Sequence, residues 1–212
     1  MPDTKAISVL SYTSVAQNLD RAMRTLLKSG INAVSLALAL PLALLSLFGR
    51  VRAMYLTGAH IAALVPGLPG DYFRVAYYRL TLAECSLKSR ISFGTVFAHA
   101  QAQVGEGAYI GSYCILGRVR IGARTQMGSM VQVLSGTRQH ARNSDGSLGA
   151  ANLDNFQMVS IGSDCWIGAS AIVMANVGDR TTIGAGAVVT REVPEDVVSV
   201  GNPARILKKA DL

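Results

Sequence analysis

The sequence predicts a mainly β protein, a parallel β-helix preceded by an apolar helical segment. Aliphatic residues, most of them followed by glycine, recur every six positions beyond residue 90. Sixteen of the 21 glycines lie from residue 91 onward. Ahead of them, residues 31–48 form a run of 18 residues without charge. We therefore predict a helical segment over 1–90 and a repeat domain over 91–209, with a loop excursion at 137–159.

The first predicted element is an amphipathic helix that leads into the apolar run. Leu19, Met23 and Leu26 share one face at helical spacing. The run INAVSLALALPLALLSLF has about the length that a helix needs to cross a hydrocarbon core of ~30 Å, although Pro41 would kink it. About 30 residues precede the run, which disfavours a secretory signal peptide.

A second apolar patch, residues 54–68, follows Arg50 and Arg52. The two patches predict membrane contact through residues 19–68, as a span, a re-entrant hairpin or a helix in the membrane plane. The alternative is a set of helices packed on the apex of a trimer. The stretch 70–85 is also predicted to be helical.

The repeat of six residues predicts a solenoid, because each unit supplies a short strand and a corner. The aliphatic residue points into a narrow core, and the following glycine tolerates close backbone approach. The aliphatic positions are Val104, Ile110, Leu116, Ile121, Met127, Val133, Ile161, Ile167, Val173, Val177, Ile183 and Val189. The fifth position of the unit holds a small residue in Ala108, Cys114, Thr125, Val131, Cys165, Ala171 and Ala187.

The repeat is irregular in three places. The steps from Leu116 to Ile121 and from Val173 to Val177 are short, which indicates coils that are shortened or bulged on one side. Between Thr137 and Val159 the repeat stops, and the segment carries polar residues, glycines and a histidine. Insertions leave a solenoid as loops on one face and often carry function.

Charge and cysteine content exclude several classes of protein. Eight of the 20 basic residues but only three of the 13 acidic residues lie in residues 1–80, so the net charge of +7 belongs mainly to the apolar N-terminal part. That distribution favours an anionic membrane surface over nucleic acid, and aromatic residues are only 6% of the chain. The three cysteines include no CxxC, which argues against a disulfide framework or a zinc site and favours a reducing compartment.

The repeat, the loop and two motifs resemble the hexapeptide-repeat acyltransferases. The motifs are CWIGASAIV at 165–173 and GNPAR at 201–205. The nearest subgroup contains the galactoside and maltose O-acetyltransferases and the acetyltransferases of exopolysaccharide synthesis. The resemblance covers about residues 91–209 and implies a left-handed coil, a homotrimer, and coenzyme A lying along a groove between neighbouring coils.

His140 is the predicted catalytic base. It follows the start of the loop, where members of this family carry their base, and an imidazole can accept a hydroxyl proton near neutral pH. Of the other histidines, His60 falls in the apolar segment and His99 is expected on the surface of the first coil.

Position by position, the resemblance also implies a site for coenzyme A. Relatives often have serine where this chain has Ala169, so a main-chain N–H would be the donor there. Arginine and lysine suit the phosphates, and small residues let the pantetheine amides approach the backbone. The implied residues are Ala169, Ala185, Thr190, Arg191, Arg205 and Lys208.

The resulting hypothesis is an acetyl-CoA-dependent O-acyltransferase acting on a sugar hydroxyl in bacterial exopolysaccharide, capsule or other surface glycan synthesis. We expect it at the cytoplasmic face of the inner membrane, with a cytoplasmic location as the alternative. Other functions left open are acetylation of serine, an amino sugar or an antibiotic, and a non-catalytic trimeric scaffold. A γ-type carbonic anhydrase is disfavoured, because only His99 and His140 lie in the repeat region, and no metal is expected.

Overall fold

The computed structural model describes residues 4–137, 140–151 and 155–207, with side chains described from residue 17 onward except at 140–141 and 150–151. Its N-terminal part is helical. Helix α1 spans Thr4–Leu45 and runs through Pro41 as one element. A 3-10 turn at Leu47–Gly49 leads to α2 (Arg52–Ala63) and α3 (Gly67–Thr81). Leucine and alanine, both strong helix formers, dominate the apolar end of α1.

Helices α2 and α3 pack closely through small residues and tyrosines. Ala59, Ala62 and Ala76 are fully or almost fully buried, as are Tyr55 and Tyr77. The Tyr77 hydroxyl donates to the carbonyl oxygen of Tyr55 at 2.9 Å, which ties the two helices together. Burial of a tyrosine ring is favourable when its hydroxyl keeps a partner.

Arg74 fixes the helices to the first coil of the repeat domain. Its side chain is completely buried, and its guanidinium donates to the carbonyl oxygens of Ile91 at 2.9 Å and Val65 at 2.6 Å. Asp71 balances the charge, with 2.6 Å between Nη2 and Oδ1. A buried cation requires such a set of acceptors, so Arg74 specifies how α3 meets the solenoid.

The repeat region forms a parallel β-solenoid of about six turns, which confirms the predicted mainly β fold with an N-terminal helical segment. Each coil contributes strands of two or three residues. The strands of the first three coils are β1 (Glu84–Cys85), β2 (Arg90–Ile91), β3 (Val96–Phe97), β4 (Gln103–Val104), β5 (Tyr109–Ile110), β6 (Ile115–Leu116), β7 (Val119–Ile121), β8 (Gln126–Met127) and β9 (Gln132–Val133). The remaining strands are β10 (His140–Arg142), β11 (Leu148–Ala151), β12 (Val159–Ile161), β13 (Trp166–Ile167), β14 (Ile172–Val173), β15 (Thr182–Ile183), β16 (Val188–Val189), β17 (Val198–Val200) and β18 (Arg205–Ile206).

The strands of the coils stack into three sheets, one for each side of the coil, and β10 and β11 form a separate hairpin. The first sheet contains β1, β4, β7 and β12, the second β2, β5, β8, β13, β15, β17 and β18, and the third β3, β6, β9, β14 and β16. Strand β1 pairs with β4 in parallel, so the first coil begins at Glu84, ahead of the boundary at residue 91 that the repeat predicts. That coil lacks the aliphatic–glycine pairs that mark the later ones.

The repeat positions point inward as predicted. Ile91, Ile110, Met127, Ile167 and Ile183 are aligned in register on successive strands of the second sheet, and all are at most 1% exposed. The small residues at the fifth position of the unit are also buried. One side chain from each strand therefore fills the narrow core, and the next points outward.

The irregular steps of the repeat all fall at one corner, between the third and the first sheet. There Leu116 is followed by β7 after two residues, and Val173 is followed by Val177, which bridges to Ile161 of the first sheet. The loop excursion leaves the coil at the same corner, between β9 and β12. This corner, which we call the loop corner, is where the chain varies while the other two corners keep the repeat.

Candidate active site

The candidate active site is built around the loop that leaves the third coil at the loop corner. Its strands β10 and β11 form an antiparallel hairpin, in which His140 is paired with Ala151. The backbone of His140 is thus placed in an ordered strand, whereas its side chain lies outside the described residues. Asp145, at the hairpin turn, is exposed and accepts hydrogen bonds from the Ser147 N–H and hydroxyl, which lower its pKa.

The base of the loop is held against the solenoid by hydrogen bonds. The Arg118 N–H donates to Ser135 Oγ at 2.8 Å, and Nη1 of Arg118 donates to the Phe156 carbonyl oxygen at 3.0 Å. The Gln157 N–H donates to the Ser135 carbonyl oxygen at 3.0 Å. Arg118 also lies over the Phe156 ring, 5.9 Å from its centroid, a favourable cation–π distance. Both ends of the loop are therefore fixed where they enter and leave the coil.

His99 lies beneath the returning end of this loop. It is only 7% exposed, and its ring meets the edge of Phe156 with centroids 5.3 Å apart. Burial, together with the positive charges of Arg52 and Arg118, lowers the pKa of His99 to about 4. The prediction that His99 lies on the surface of the first coil is therefore wrong, because the loop covers that corner.

Ala169 and Ala185 lie one above the other at the corner between the second and third sheets. Both are exposed, and the Gly186 N–H donates to the Ala169 carbonyl oxygen at 2.9 Å. Within the described part of the chain, the N–H groups of these two alanines donate to no acceptor. They are free to bind carbonyl oxygens of a ligand, as the resemblance implies for coenzyme A.

Close stacking at this corner depends on glycine. A Cβ on Gly128 would come within 2.6 Å of the Ala169 nitrogen, and one on Gly168 would contact the Ala185 backbone. Real Cβ atoms do not come this close to other heavy atoms, so a side chain at either glycine would require the backbone to shift. The glycine that follows each inward aliphatic residue therefore lets the exposed corner residues of neighbouring coils stack directly.

The other residues implied for coenzyme A are distributed over two places. Thr190 and Arg191 are exposed at the loop corner of the fifth coil, at the opposite end of β16 from Ala185. Residues 201–204 run alongside β16, since the Val188 N–H donates to the Gly201 carbonyl oxygen and the Ala204 N–H to that of Val188. This segment carries the exposed Arg205, and Lys208 lies outside the described residues. The structure thus places five of the six residues in coils four to six, four of them near the ends of third-sheet strands and Arg205 on β18 at the edge of the second sheet.

A polar and aromatic row, exposed at Gln126 and Trp166 and half-buried at Tyr109, runs along the second sheet and was missed by sequence reasoning. Its aligned members include Tyr109, Gln126 and Trp166, and Trp166 is 64% exposed. They line a depression of about 510 Å³ whose edge carries a 2.6 Å ion pair between Arg124 and Asp164. The signal in the sequence was the residue before each aliphatic position, which the period of six places on the outer surface.

Comparison with known proteins finds similarity to acyltransferases that carry a hexapeptide repeat. Residues 158–191 match the family model described as the hexapeptide repeat of succinyl-transferase. The galactoside O-acetyltransferase of Escherichia coli is 38% identical over 53 residues, which are 24% of this chain and 26% of that protein. The chain spans less than half the length of the curated relatives that it matches, with shares of 31%, 44% and 26% for three of them.

Two solved structures share the fold. The maltose O-acetyltransferase from Clostridium difficile 630 aligns with a TM-score of 0.61 at 22% identity, over 77% of this chain and 88% of that one. A hexapeptide-repeat acetyltransferase from Vibrio cholerae, complexed with acetyl coenzyme A, aligns with a TM-score of 0.53 at 20% identity, over 74% and 85%.

The fold is a β-solenoid, and residues 158–191 are similar to the hexapeptide repeat of succinyl-transferase. The chain is similar to acetyltransferases that share this fold, which confirms the resemblance predicted from the loop and the two motifs.

Proposed function

We propose that this protein is a coenzyme A-dependent O-acyltransferase, most simply an O-acetyltransferase, with His140 as its general base. The observation that carries the proposal is the position of the loop. It leaves the coil between β9 and β12, directly before the coils whose exposed N–H groups at Ala169 and Ala185 are free. The loop that carries His140 and these N–H groups are thereby attached to adjoining coils.

The chemistry follows from the residue types. His140 would accept the proton of an acceptor hydroxyl as that oxygen attacks the thioester carbonyl. A main-chain N–H at the alanine corner would stabilise the negative charge that develops on the carbonyl oxygen. The proton held by the imidazole would then pass to the departing thiolate, which leaves the ester and free coenzyme A. Arg191 and Arg205 are exposed and suited to the phosphates of the donor.

His99 is a poor candidate for the same role. It is buried against Phe156, and its pKa of about 4 makes it a much weaker base than an ordinary imidazole. His60 is exposed on α2, within the helical segment rather than in the repeat domain. Among the three histidines, His140 is the one carried by the loop.

The test is turnover by the purified His140→Ala variant, measured as thiol released from acetyl-CoA with a sugar acceptor. We expect turnover to fall by roughly 10² to 10⁴ while folding is retained. The matched control is His60→Ala, which removes an exposed imidazole from α2 and should keep normal turnover. Near-normal turnover by His140→Ala would rule out the assignment. Failure of the unaltered protein to bind acetyl-CoA would instead favour a scaffold.

We propose a sugar hydroxyl of a bacterial exopolysaccharide, capsule or other surface glycan as the acceptor. The row from the half-buried Tyr109 to the exposed Trp166 supports this choice, since aromatic rings with one polar edge suit a ligand that is partly apolar and partly hydroxylated. Mass spectrometry of the surface glycan from cells with and without the gene should show loss of an acetyl ester. An unchanged glycan would redirect the search to serine, amino sugars or antibiotics.

We also propose that the protein works as a homotrimer on the cytoplasmic face of the inner membrane, in contact through residues 19–68. Residues 17–45 of α1 are long and apolar enough to cross a membrane by composition, with mean hydropathy 1.5 and 11% of the apolar window buried. Arg50 and Arg52 follow α1 after a short turn, where an anionic leaflet would attract them. The protein should stay with the membranes when they are extracted with alkaline carbonate. Its mass in detergent solution should equal the mass of three chains. Recovery in the soluble fraction would contradict the membrane proposal.

A further inference from the structure

Helix α1 has a long apolar face that the described residues leave uncovered. Its exposed members follow one another at steps of three and four residues, which aligns them along one side of the helix. This row, which we call the apolar face, contains Leu19, Met23, Leu26, Gly30, Ala33, Ala37, Leu40 and Leu44. At 1.5 Å for each residue it is about 38 Å long. Exposed apolar surface of this extent indicates a binding partner.

The opposite side of α1 packs on the rest of the protein. Ser35, Ala39 and Ala43 are buried where α1 lies against α3. Just after the end of α1, the hydroxyl oxygen of Ser46 is 2.9 Å from that of Tyr77 on α3. The apolar face is therefore turned away from α3 and from the solenoid.

The basic residues of α1 lie on the side that faces the protein. Arg21, Arg24 and Lys28 are spaced by three and four residues, and Ser35 continues their row one heptad after Lys28. Arg24 is paired with Asp20 at 2.8 Å. The first half of α1 is exposed on all sides, yet its apolar residues point in the same direction as those of the packed half. One flat apolar partner along the whole helix would explain this agreement.

The attachment of α3 to the first coil prevents α1 from crossing a bilayer. The Nε of Arg74 donates to the Ile91 carbonyl oxygen at 2.9 Å. One turn later, the Tyr78 hydroxyl accepts from the Phe97 N–H at 3.3 Å. The first coil therefore lies along α3, which itself lies along α1. A bilayer crossed by α1 would have to surround the coil with its exposed Arg90, and charged side chains are costly in hydrocarbon.

We propose that α1 lies in the plane of the membrane surface, with its apolar face among the lipid chains and with α3 and the solenoid on the water side. An interfacial helix of this kind buries its apolar side about 5–10 Å into the boundary between headgroups and chains. The proposal rests on the membrane contact proposed above and selects one arrangement of it. Both ends of α1 and the repeat domain would then lie on the same side of the bilayer.

The breadth of the exposed surface favours lipid over a second copy of the chain. A second row of exposed apolar residues runs beside the apolar face and contains Leu27, Val34, Leu38 and Leu45. A coiled-coil seam uses about two of every seven positions, so a partner helix would leave that row in water. Gly30, Ala33 and Ala37 would also provide only a thin core for such a seam. A lipid surface covers both rows.

The experiment measures the depth of single nitroxide labels on the full chain bound to phosphatidylcholine vesicles. Collisions with oxygen and with a water-soluble nickel chelate report the depth of each label. Labels are introduced on the apolar face by Leu19→Cys, Ala37→Cys and Leu44→Cys, and on the protein side by Thr25→Cys. The three native cysteines are buried, so the introduced thiol is the reactive one. We expect the three face labels at similar shallow depth and the Thr25 position in water.

A matched pair of variants tests whether the apolar face supplies the binding. Met23→Glu should lower the affinity for phosphatidylcholine vesicles by about tenfold or more, because a buried apolar side chain is replaced by a charge. Thr25→Glu adds the same charge to the other side of α1 and should change the affinity by less than about twofold. Both positions are exposed, so the variants are expected to fold.

Four results would overturn the proposal. A label at Ala37 in the bilayer centre with Leu19 in water would show a spanning helix and leave the proposed membrane contact standing. Coupling between face labels of two chains without vesicles would identify a second copy as the partner. Equal losses in Met23→Glu and Thr25→Glu would show that the apolar face is not used. Absence of vesicle binding would contradict both this proposal and the membrane contact.

Discussion

The buried imidazole of His99 should make the loop corner sensitive to acid. His99 lies under Phe156 and near Arg118, which also holds the loop by its hydrogen bond to the Phe156 carbonyl oxygen. Burial holds the pKa of His99 at about 4 in the folded protein, against about 6.5 for an ordinary histidine in the unfolded chain. Between these values the unfolded chain binds more protons than the folded one.

The direction and size of the effect follow from that difference. Stability is unaffected by His99 above about pH 6.5, falls as the pH drops toward 4, and levels off below it. Each unit by which the pKa of His99 is lowered corresponds to about 1.4 kcal/mol in the free energy of unfolding. The total loss of stability is therefore roughly 3 kcal/mol. Because the corner is where the loop is attached, the loss should first appear there as local opening.

The assay is hydrogen exchange of the Gln157 N–H, which donates to the Ser135 carbonyl oxygen, measured between pH 7 and pH 4 and corrected for intrinsic exchange. We expect protection to fall with pH in the unaltered protein. In His99→Gln the fall should be absent, since no titrating group remains there. The control His60→Gln, at an exposed position, should keep the fall. An identical pH dependence in His99→Gln would refute the reasoning.

Two further substitutions test other parts of the structure. Asp71→Asn leaves the buried Arg74 cation without its counter-ion, so we expect a loss of about 3–5 kcal/mol, seen as a lower thermal midpoint by circular dichroism. Asp164→Asn, which makes the same change in an exposed pair, should leave the midpoint unchanged, and equal effects would contradict the role of burial. Gly168→Ala forces a Cβ against the Ala185 backbone, so titration should show acetyl-CoA affinity lowered by about tenfold, and normal affinity would argue against a donor site at this corner.

The sequence was sufficient to predict the repeat because residues six positions apart occupy equivalent inward positions in the solenoid. Each aliphatic residue at the period of six is buried, and the short steps and the loop fall at one corner. A strand of two residues offers one inward side chain, so the spacing of the aliphatic residues predicts directly which side chains are buried. The loop and the ending GNPAR carried the functional resemblance, which the matched repeat supports.

Long-range packing could not be read in this way. His99 was expected on the surface, but Phe156, 57 positions later, returns to cover it. The buried bonds of Arg74 to Ile91 and Val65 likewise depend on how α3 docks on the first coil. The local sequence does not determine which distant residue packs against a given corner.

The sequence by itself therefore determined the solenoid, the position of its loop and the apolar character of the helical segment, because each is a property of neighbouring residues. The tertiary structure alone decided that Ala169 and Ala185 stack with free N–H groups and that Phe156 covers His99. Burial and charge at such places are set by contacts across the fold, and local sequence spacing does not record them.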